Sequence, residues 1–387
     1  MSRYESLWMS PNAVAGFAIV VALVVLRASP AGAAGGLDIT PSAATAGRGG
    51  AGTAVFWSAD LDDWANPALL GYMQGLDYRW SRTRLVPDLA SDVYFRTDRL
   101  ALGGGGIGLN LASTTVDYGV IALSDNSGTF VGTFRPTETA DPIGAGLSLS
   151  RLIGSLSALR GGAPPMISRY GDFAVGFTTK DVRITLAPPS FPGGTGSAHT
   201  RDFGFLLRVN PVPRTDAGHR FVEMAYGYAS LNGSDAGISF IDQGSPTPVG
   251  WQHRNGVAIR VGFPLHLASP RGLAGWIVRG MDPYLTVSVA ADHVHHHDYY
   301  YEYSNYDVDA VGAEIDLAGV VTARLGHVTD RAGEIDAFSF GGGIALPLAR
   351  FMGLRYDFAS YPEATGLSSI HRHGIGVWFD PFALRGR

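Results

Sequence analysis

The sequence predicts an all-β fold: a transmembrane antiparallel β-barrel of about fourteen strands with an amino-terminal plug segment in its lumen. Three observations predict it. The 387 residues are 46% hydrophobic and only 16% charged, with 52 glycines, whereas soluble domains carry roughly 25% charged residues. From residue 75 onward, runs of about ten residues alternate between apolar and polar side chains and are separated by turn-rich stretches, the signature of strands with two different faces. Gly, Pro or charge interrupts every later apolar stretch before it could cross a bilayer as a helix, so any span must be a closed barrel. A soluble all-β assembly would need a buried core behind each apolar face and fits the low charge less well.

Residues 1–34 read as a targeting segment. The run from Ala13 to Leu26 is apolar, follows Arg3, and precedes Ala31-Gly32-Ala33, a small-residue cleavage pattern. At about 14 residues it is shorter than the ~20 a transmembrane helix needs. Cleavage after Ala33 or Ala34 is expected, with an uncleaved anchor as the alternative. Residues 35–72 then form the expected plug, and 73–387 the barrel.

The first strand falls near Leu76 to Val86, where alternation is poor and Arg-rich. Val93 to Leu102 and Ile107 to Tyr118 follow across a turn at Gly103 to Gly106, then Ile143 to Ser150. Phe173 to Leu186 is a fifth strand whose apolar phase slips between Phe177 and Val182, which predicts either a bulge or a half-strand whose apolar residues face the lumen. Later strands are cleaner. Phe203, Phe205, Leu207 and Val209 share a face against Asp202, Gly204 and Arg208. Val257 to Phe263, Leu285 to Ala291, Val311 to Leu317, Leu354 to Phe358 and Ile375 to Phe379 repeat the pattern, and Val222 to Tyr228, Val320 to His327 and Phe338 to Leu346 complete the set. The even total puts both chain ends on the periplasmic side. Tight connections alternate with long polar ones (Ser124 to Asp141, Ser230 to Gly250, His295 to Asp309). Ser157 to Ser168 is an exception, a longish connection on the periplasmic side. The last residues lack a terminal aromatic, a role Phe379 or Phe382 could take.

The stretch from Ala46 to Tyr72 opens with small residues (Gly47, Gly49, Gly50), carries Asp60, Asp62 and Asp63 in its middle, and stops at Asn66-Pro67-Ala68. That order resembles the segment ahead of the first strand in FadL-type and PorV/PorQ-type outer-membrane barrels, with Gly71 after Leu70 where those families favour Ala. The runs FAVGFTTKDVRITLA, DFGFLLRVNP, GVAIRVGFPL, TVSVAADH and FSFGGGIAL resemble PorV/PorQ-like strand motifs. So does VGAEIDLAGVVTARLG, with Ile315 where that group prefers Tyr. The resemblance implies a 14-stranded outer-membrane barrel with a plug. It also implies passive binding and transport of hydrophobic small molecules, or alternatively a PorV-like scaffold for a secretion-system protein.

Charges expected to face the lumen are Asp202, Arg208, Arg260, Asp292, Glu314, Asp316, Arg324, Arg355 and Asp357, either as a network that stiffens the wall or as a lining that selects what passes. Glu314 and Arg324 are the preferred pair, because they lie on one hairpin. Along an extended strand His293, His295 and His297 project to one side and could take zinc or copper with Asp298 nearby; a solvated rim with an aromatic belt of tyrosines is the alternative. His371 and His373 echo the pattern weakly. No cofactor is called for, and no Ser-His-Asp set is apparent. Gly103 to Gly106 lacks the Lys-Ser/Thr and helix of a phosphate loop. The chain reads as a non-enzyme. A net charge of -5 argues against nucleic acid as a partner. The expected partners are outer-membrane lipid and either a hydrophobic ligand or a secretion-system protein.

Overall fold

The computed structural model describes residues 35–57, 61–124, 129–163, 166–188, 194–214, 219–233, 237–240, 247–265, 281–297, 306–331, 335–349, 351–362 and 369–381. Among them, fourteen strands close into an antiparallel barrel. In chain order they are β1 (Gly75–Arg84), β2 (Tyr94–Gly104), β3 (Ile107–Asp117), β4 (Thr137–Ser148), β5 (Gly171–Thr185), β6 (Thr195–Val212), β7 (Phe221–Leu231), β8 (Trp251–Pro264), β9 (Tyr284–His297), β10 (Tyr306–Leu317), β11 (Val321–Asp330), β12 (Ile335–Ala349), β13 (Met352–Tyr361) and β14 (Ile370–Phe379). Each strand pairs with its neighbours in sequence. Closure comes from β1 against β14, with Leu76 opposite Phe379 and Thr83 opposite Arg372, so the fourteen strands close on themselves; a short pair, Gly237–Phe240 with Thr247–Pro248, continues from the start of β6. No helix among the described residues is long and apolar enough to cross a membrane.

Alternation sets the two faces. Leu100, Leu111, Phe203, Val257, Val289 and Leu325 are exposed on the outer face, while their sequence neighbours Arg99, Asn110, Asp202, Ala258, Ala290 and Arg324 are buried inside. Residue parity therefore decides burial along each strand, as the two-faced pattern predicts.

Several sequence expectations need correction. The fourth strand starts earlier, at Thr137, and ends at Ser148. Its first half was hidden because Thr139 and Asp141 face outward and Pro142 interrupts the pattern. Pro142 sits where pairing with β3 lapses, between Leu111–Ile143 and Thr114–Ala140, a place where a missing N–H costs no ladder bond. The expected long loop from Ser124 to Asp141 instead contains a small hairpin, Ile121–Ser124 with Phe130–Phe134. Leu149 and Ser150, which the alternation assigns to the end of that strand, begin helix α2 (Leu149–Leu159), which follows the short α1 (Ala43–Gly47) in the chain. The Ser157 to Ser168 connection is thus partly helical. The phase slip in β5 is not a bulge. Pairing on both sides runs without a register shift, and Val182 and Ile184 turn inward onto Leu37 and Trp64.

Residues 35–57 and 61–73 lie on the inner side of the wall. Ala51, Ala54, Val55, Phe56, Leu61, Ala68, Leu69, Tyr72 and Met73 form one buried cluster with Ala101, Ala174, Leu206, Ala225, Ala258, Ala290 and Ala310 of the strands. The wall contributes mostly alanine there, which leaves room for the segment's larger side chains.

Candidate functional site

The fit between segment and wall is closest along a row of glycines. Gly103, Gly108, Gly146, Gly176 and Gly204 stand directly opposite one another from β2 to β6. Gly227 faces Gly256 between β7 and β8, and Gly312 faces Gly326 between β10 and β11. A Cβ on these residues would strike the segment. At Gly108 it would lie 2.0 Å from the Leu70 carbonyl oxygen, at Gly176 2.2 Å from Pro67, and at Gly227 2.4 Å from the Thr53 oxygen. At Gly312 it would lie 2.5 Å from Arg48, and at Gly326 2.1 Å from the Gly49 nitrogen. The segment therefore runs round the inside of the wall, from β12 beside Gly47 to β2 beside Met73. At Gly108, Gly146, Gly176, Gly227 and Gly326 main chain touches main chain, and at Gly204 the wall backbone meets the Asn66 side chain, approaches that only glycine permits.

Buried polar side chains fix this course. The Asn66 side chain caps the short helix Pro67–Tyr72 by accepting from the Ala68 N–H at 3.0 Å. Its amide donates to the Thr53 carbonyl at 2.9 Å and to the Phe205 carbonyl at 3.1 Å, so one residue ties two turns of the segment to β6. Asp292 on β9 accepts from the N–H of Gly52 (3.0 Å), the N–H of Thr53 (2.9 Å) and the Thr53 hydroxyl (2.6 Å). Arg254 also donates to it, at 3.2 Å. Glu314 Oε2 takes Arg48 of the segment at 2.8 Å and Arg324 at 2.7 Å. Arg324 continues to Asp357 at 2.8 Å, and Arg355 closes the chain on Asp357 at 2.5 Å.

The residues singled out from sequence are placed as follows. Gly47 packs on Gly341, and Gly49 and Gly50 adopt positive φ (73° and 98°) at the turn after α1. Asp62 accepts from the Thr40 hydroxyl at 2.9 Å, and Asp63 pairs with Arg99 at 2.6 Å. Asp60 and residues 1–34, the expected targeting segment, lie outside the described residues. Glu314 and Arg324 stand directly opposite each other on β10 and β11. Asp202 pairs with the fully buried Lys180 at 2.8 Å, and Arg260 with Glu223 at 2.5 Å. Asp316 accepts from the Gly319 N–H and the Thr322 hydroxyl. All nine expected lumen charges lie on the inward parity of their strands. Residues overlooked in the sequence are Arg48, Lys180, Asp172, Glu223 and Arg254. The four on strands occupy the same inward parity, a signal available once the strands are phased.

His293, His295 and His297 share the outer face of β9. His293 meets Asp309 at 2.8 Å, His295 meets Asp307 at 2.5 Å, and His297 stacks on Trp251 at 4.0 Å between ring centres. Among the described residues no group of three His, Asp or Glu could hold a metal ion. His293 also lies 3.7 Å from Asp307, and the His295 and His297 rings meet edge to face at 4.3 Å between centres. Asp298 and residues 299–303 lie outside the described residues.

Inside the barrel, near the end that carries the β2–β3 turn and α2, a chamber of about 550 Å³ remains between segment and wall. Phe56, Trp57, Tyr72 and Trp378 line it together with Arg79, Arg151, Arg208, Arg214, Arg260 and Arg355. Tyr72 donates to Asp172 at 2.7 Å, and burial and that carboxylate push its hydroxyl well above the usual tyrosine value. Burial, then the Arg208 guanidinium, holds Arg151 on α2 below its ordinary value.

No protein-family model matches the sequence, and no curated protein matches it, so the PorV/PorQ-like resemblance rests on the amino-terminal segment and the strand motifs alone. Solved structures similar in architecture include the toluene transporter TbuX of Ralstonia pickettii, 12% identical over 88% of this chain and 98% of that one, with a TM-score of 0.45. The CymD monoaromatic hydrocarbon channel is 11% identical over 90% and 99% of the two chains, with a TM-score of 0.43. A FadL homologue of Pseudomonas aeruginosa is 10% identical over 88% and 98%, with a TM-score of 0.42.

Proposed function

We propose that the chain is an outer-membrane barrel that binds hydrophobic small molecules and passes them without a covalent step, and that residues 35–72 act as its plug. The observation that carries this is the row of wall glycines opposite the segment. A wall shaped to one backbone course holds that course in one seated conformation. The seat is nevertheless separable from the wall. The strands pair with each other all the way round, and the segment adds no strand to the sheet. It is held by apolar contact and by side-chain anchors that include Asn66, Asp292, Glu314, Asp63 with Arg99, and Tyr72 with Asp172, none of them part of the strand ladder, so it can shift while the barrel stays closed. The aromatic lining of the chamber offers an apolar surface where a ligand would rest once the segment gives way. The scaffold alternative, with a secretion-system protein as partner, draws no support from a described surface.

Deleting residues 46–70 is expected to raise the conductance of the protein reconstituted in a planar bilayer while the barrel stays folded. Unchanged conductance in a folded deletion variant would remove the plug from the proposal. Mass spectrometry of the protein purified in mild detergent tests the ligand class. Stoichiometric lipid or hydrocarbon supports passage of small molecules, and a co-purifying large polypeptide without one favours the scaffold.

A further inference from the structure

Six arginines line the chamber. Four have a carboxylate partner: Arg79 with Asp77 and Arg355 with Asp357, each at 2.5 Å, Arg260 with Glu223 at 2.5 Å, and Arg214 with Asp282. Arg151 and Arg208 have none among the described residues. Arg151 donates to the Tyr72 carbonyl at 3.2 Å and lies over the Tyr72 ring, 4.8 Å from its centre. Arg208 donates to the Ser168 carbonyl at 3.4 Å and lies over Phe56 and Tyr72 at 5.5 and 5.8 Å. Arg208 is only 8% exposed, and its Nε is buried without an acceptor.

The nearest carboxylate does not fill the gap. Asp172 is the register partner of Arg208 across β5 and β6. Its oxygens, however, receive Tyr72 at 2.7 Å, the Ser148 hydroxyl at 2.5 Å and the Ser150 N–H at 2.9 Å. Two guanidiniums held in one recess repel each other. Asp172 and Glu223 act on Arg151 at a distance and Asp380 lines the same chamber, but none forms an ion pair with either arginine among the described residues, so each still has room for an anion that joins them. Each keeps free N–H groups in the planar fork that suits a carboxylate. The aromatic rings of Phe56, Trp57 and Tyr72 border the same space and would receive a flat apolar body.

We propose that Arg151 and Arg208 form a binding site for a small organic carboxylate with an apolar, aromatic body. The site lies at the end of the barrel that carries the β2–β3 turn. The proposal deepens the passage of hydrophobic molecules set out above and rests on it, since it selects, among apolar ligands, those that carry one negative charge.

The test is calorimetric titration of the full-length barrel in detergent with benzoate, with neutral benzyl alcohol and with inorganic phosphate. Benzoate is expected to bind, and Arg151→Gln on the half-buried helix position is expected to weaken it by about tenfold or more, as loss of a charge-assisted hydrogen bond does. Arg208→Lys keeps the charge but removes the fork and is expected to weaken benzoate as well, while benzyl alcohol binding stays unchanged in both variants. Heat-modifiable gel migration shows that each variant has folded. Benzyl alcohol binding without benzoate binding, or benzoate binding indifferent to both substitutions, would overturn the site and leave the passage proposal standing. Phosphate bound as tightly as benzoate would overturn the aromatic-carboxylate class. Binding of neither organic probe would count against the passage proposal itself.

Discussion

Replacing Asp292 by Asn should loosen the segment while leaving the wall intact. Asp292 Oδ2 accepts four donors: the N–H groups of Gly52 and Thr53, the Thr53 hydroxyl and Arg254. Hydrogen bonds to a charged group contribute roughly 1.5–3 kcal/mol each, and breaking a buried ion pair costs roughly 3–5 kcal/mol. Asparagine keeps one oxygen for the segment's donors but loses the charge that holds Arg254. Its amide nitrogen would replace Oδ1, which is buried without a partner, so it would be unpaired too. A cost near the lower bound, about 3 kcal/mol, corresponds to an opening equilibrium shifted about 150-fold. The cost falls on the docked segment, because the carboxylate bonds the bend at Gly52 and Thr53 and takes no part in the strand ladder. Amide hydrogen exchange reads this directly. The Gly52 and Thr53 amides should exchange about a hundredfold faster in the variant, while amides in the centres of β5 and β6 keep their protection. Unchanged exchange at Gly52 and Thr53 in a folded variant would refute the idea that this carboxylate holds the segment.

Three further outcomes follow from the same geometry. Gly176→Ala would put a Cβ 2.2 Å from Pro67 backbone and should unseat the short helix Pro67–Tyr72, whereas at Gly374 nothing lies closer than 4.0 Å; proteolysis within residues 61–74 should therefore rise in the first variant and not in Gly374→Ala. Glu314→Gln leaves Arg48 and Arg324 without their shared carboxylate and should lower unfolding stability by about 3 kcal/mol, so a denaturant midpoint indistinguishable from wild type would contradict a buried pair. Tyr72 is an acid whose folded pKa lies above its unfolded value of 10.0. The stability it contributes is therefore complete below pH 10 and declines as pH rises from there. Tyr72→Phe should be less stable than wild type at pH 8, with the difference shrinking above pH 10 in parallel denaturation curves.

How much of this could be read from the chain alone depends on which physical rule governs each part. A strand between lipid and lumen must alternate, so Phe203 to Val209 or Val257 to Phe263 disclose both their class and their phase, and from phase follow the inward charges. Glu314 and Arg324 could be matched because a short hairpin leaves them nowhere else to face. Where both faces are polar the signal vanishes, as at Thr137 to Asp141. Where period two passes directly into period 3.6, as from Leu147 into α2, Leu149 fits both and the boundary is lost. The partners of Arg48, Asp63 and Asn66 were illegible for a different reason. They are set by where the segment crosses strands far along the chain, and no local pattern encodes that. The wall glycines show how misleading a local rule can be. Gly108, Gly146, Gly176 and Gly204, taken singly, weaken their strands, because glycine brings more backbone entropy and no side chain to pack. Closure puts these four in register on one side and a segment of main chain on the other. The packing lost within each strand is then offset by contact with Leu70, Gly71, Pro67 and Asn66 across the lumen. That contact is the reason the segment and the wall are best understood as one fitted surface.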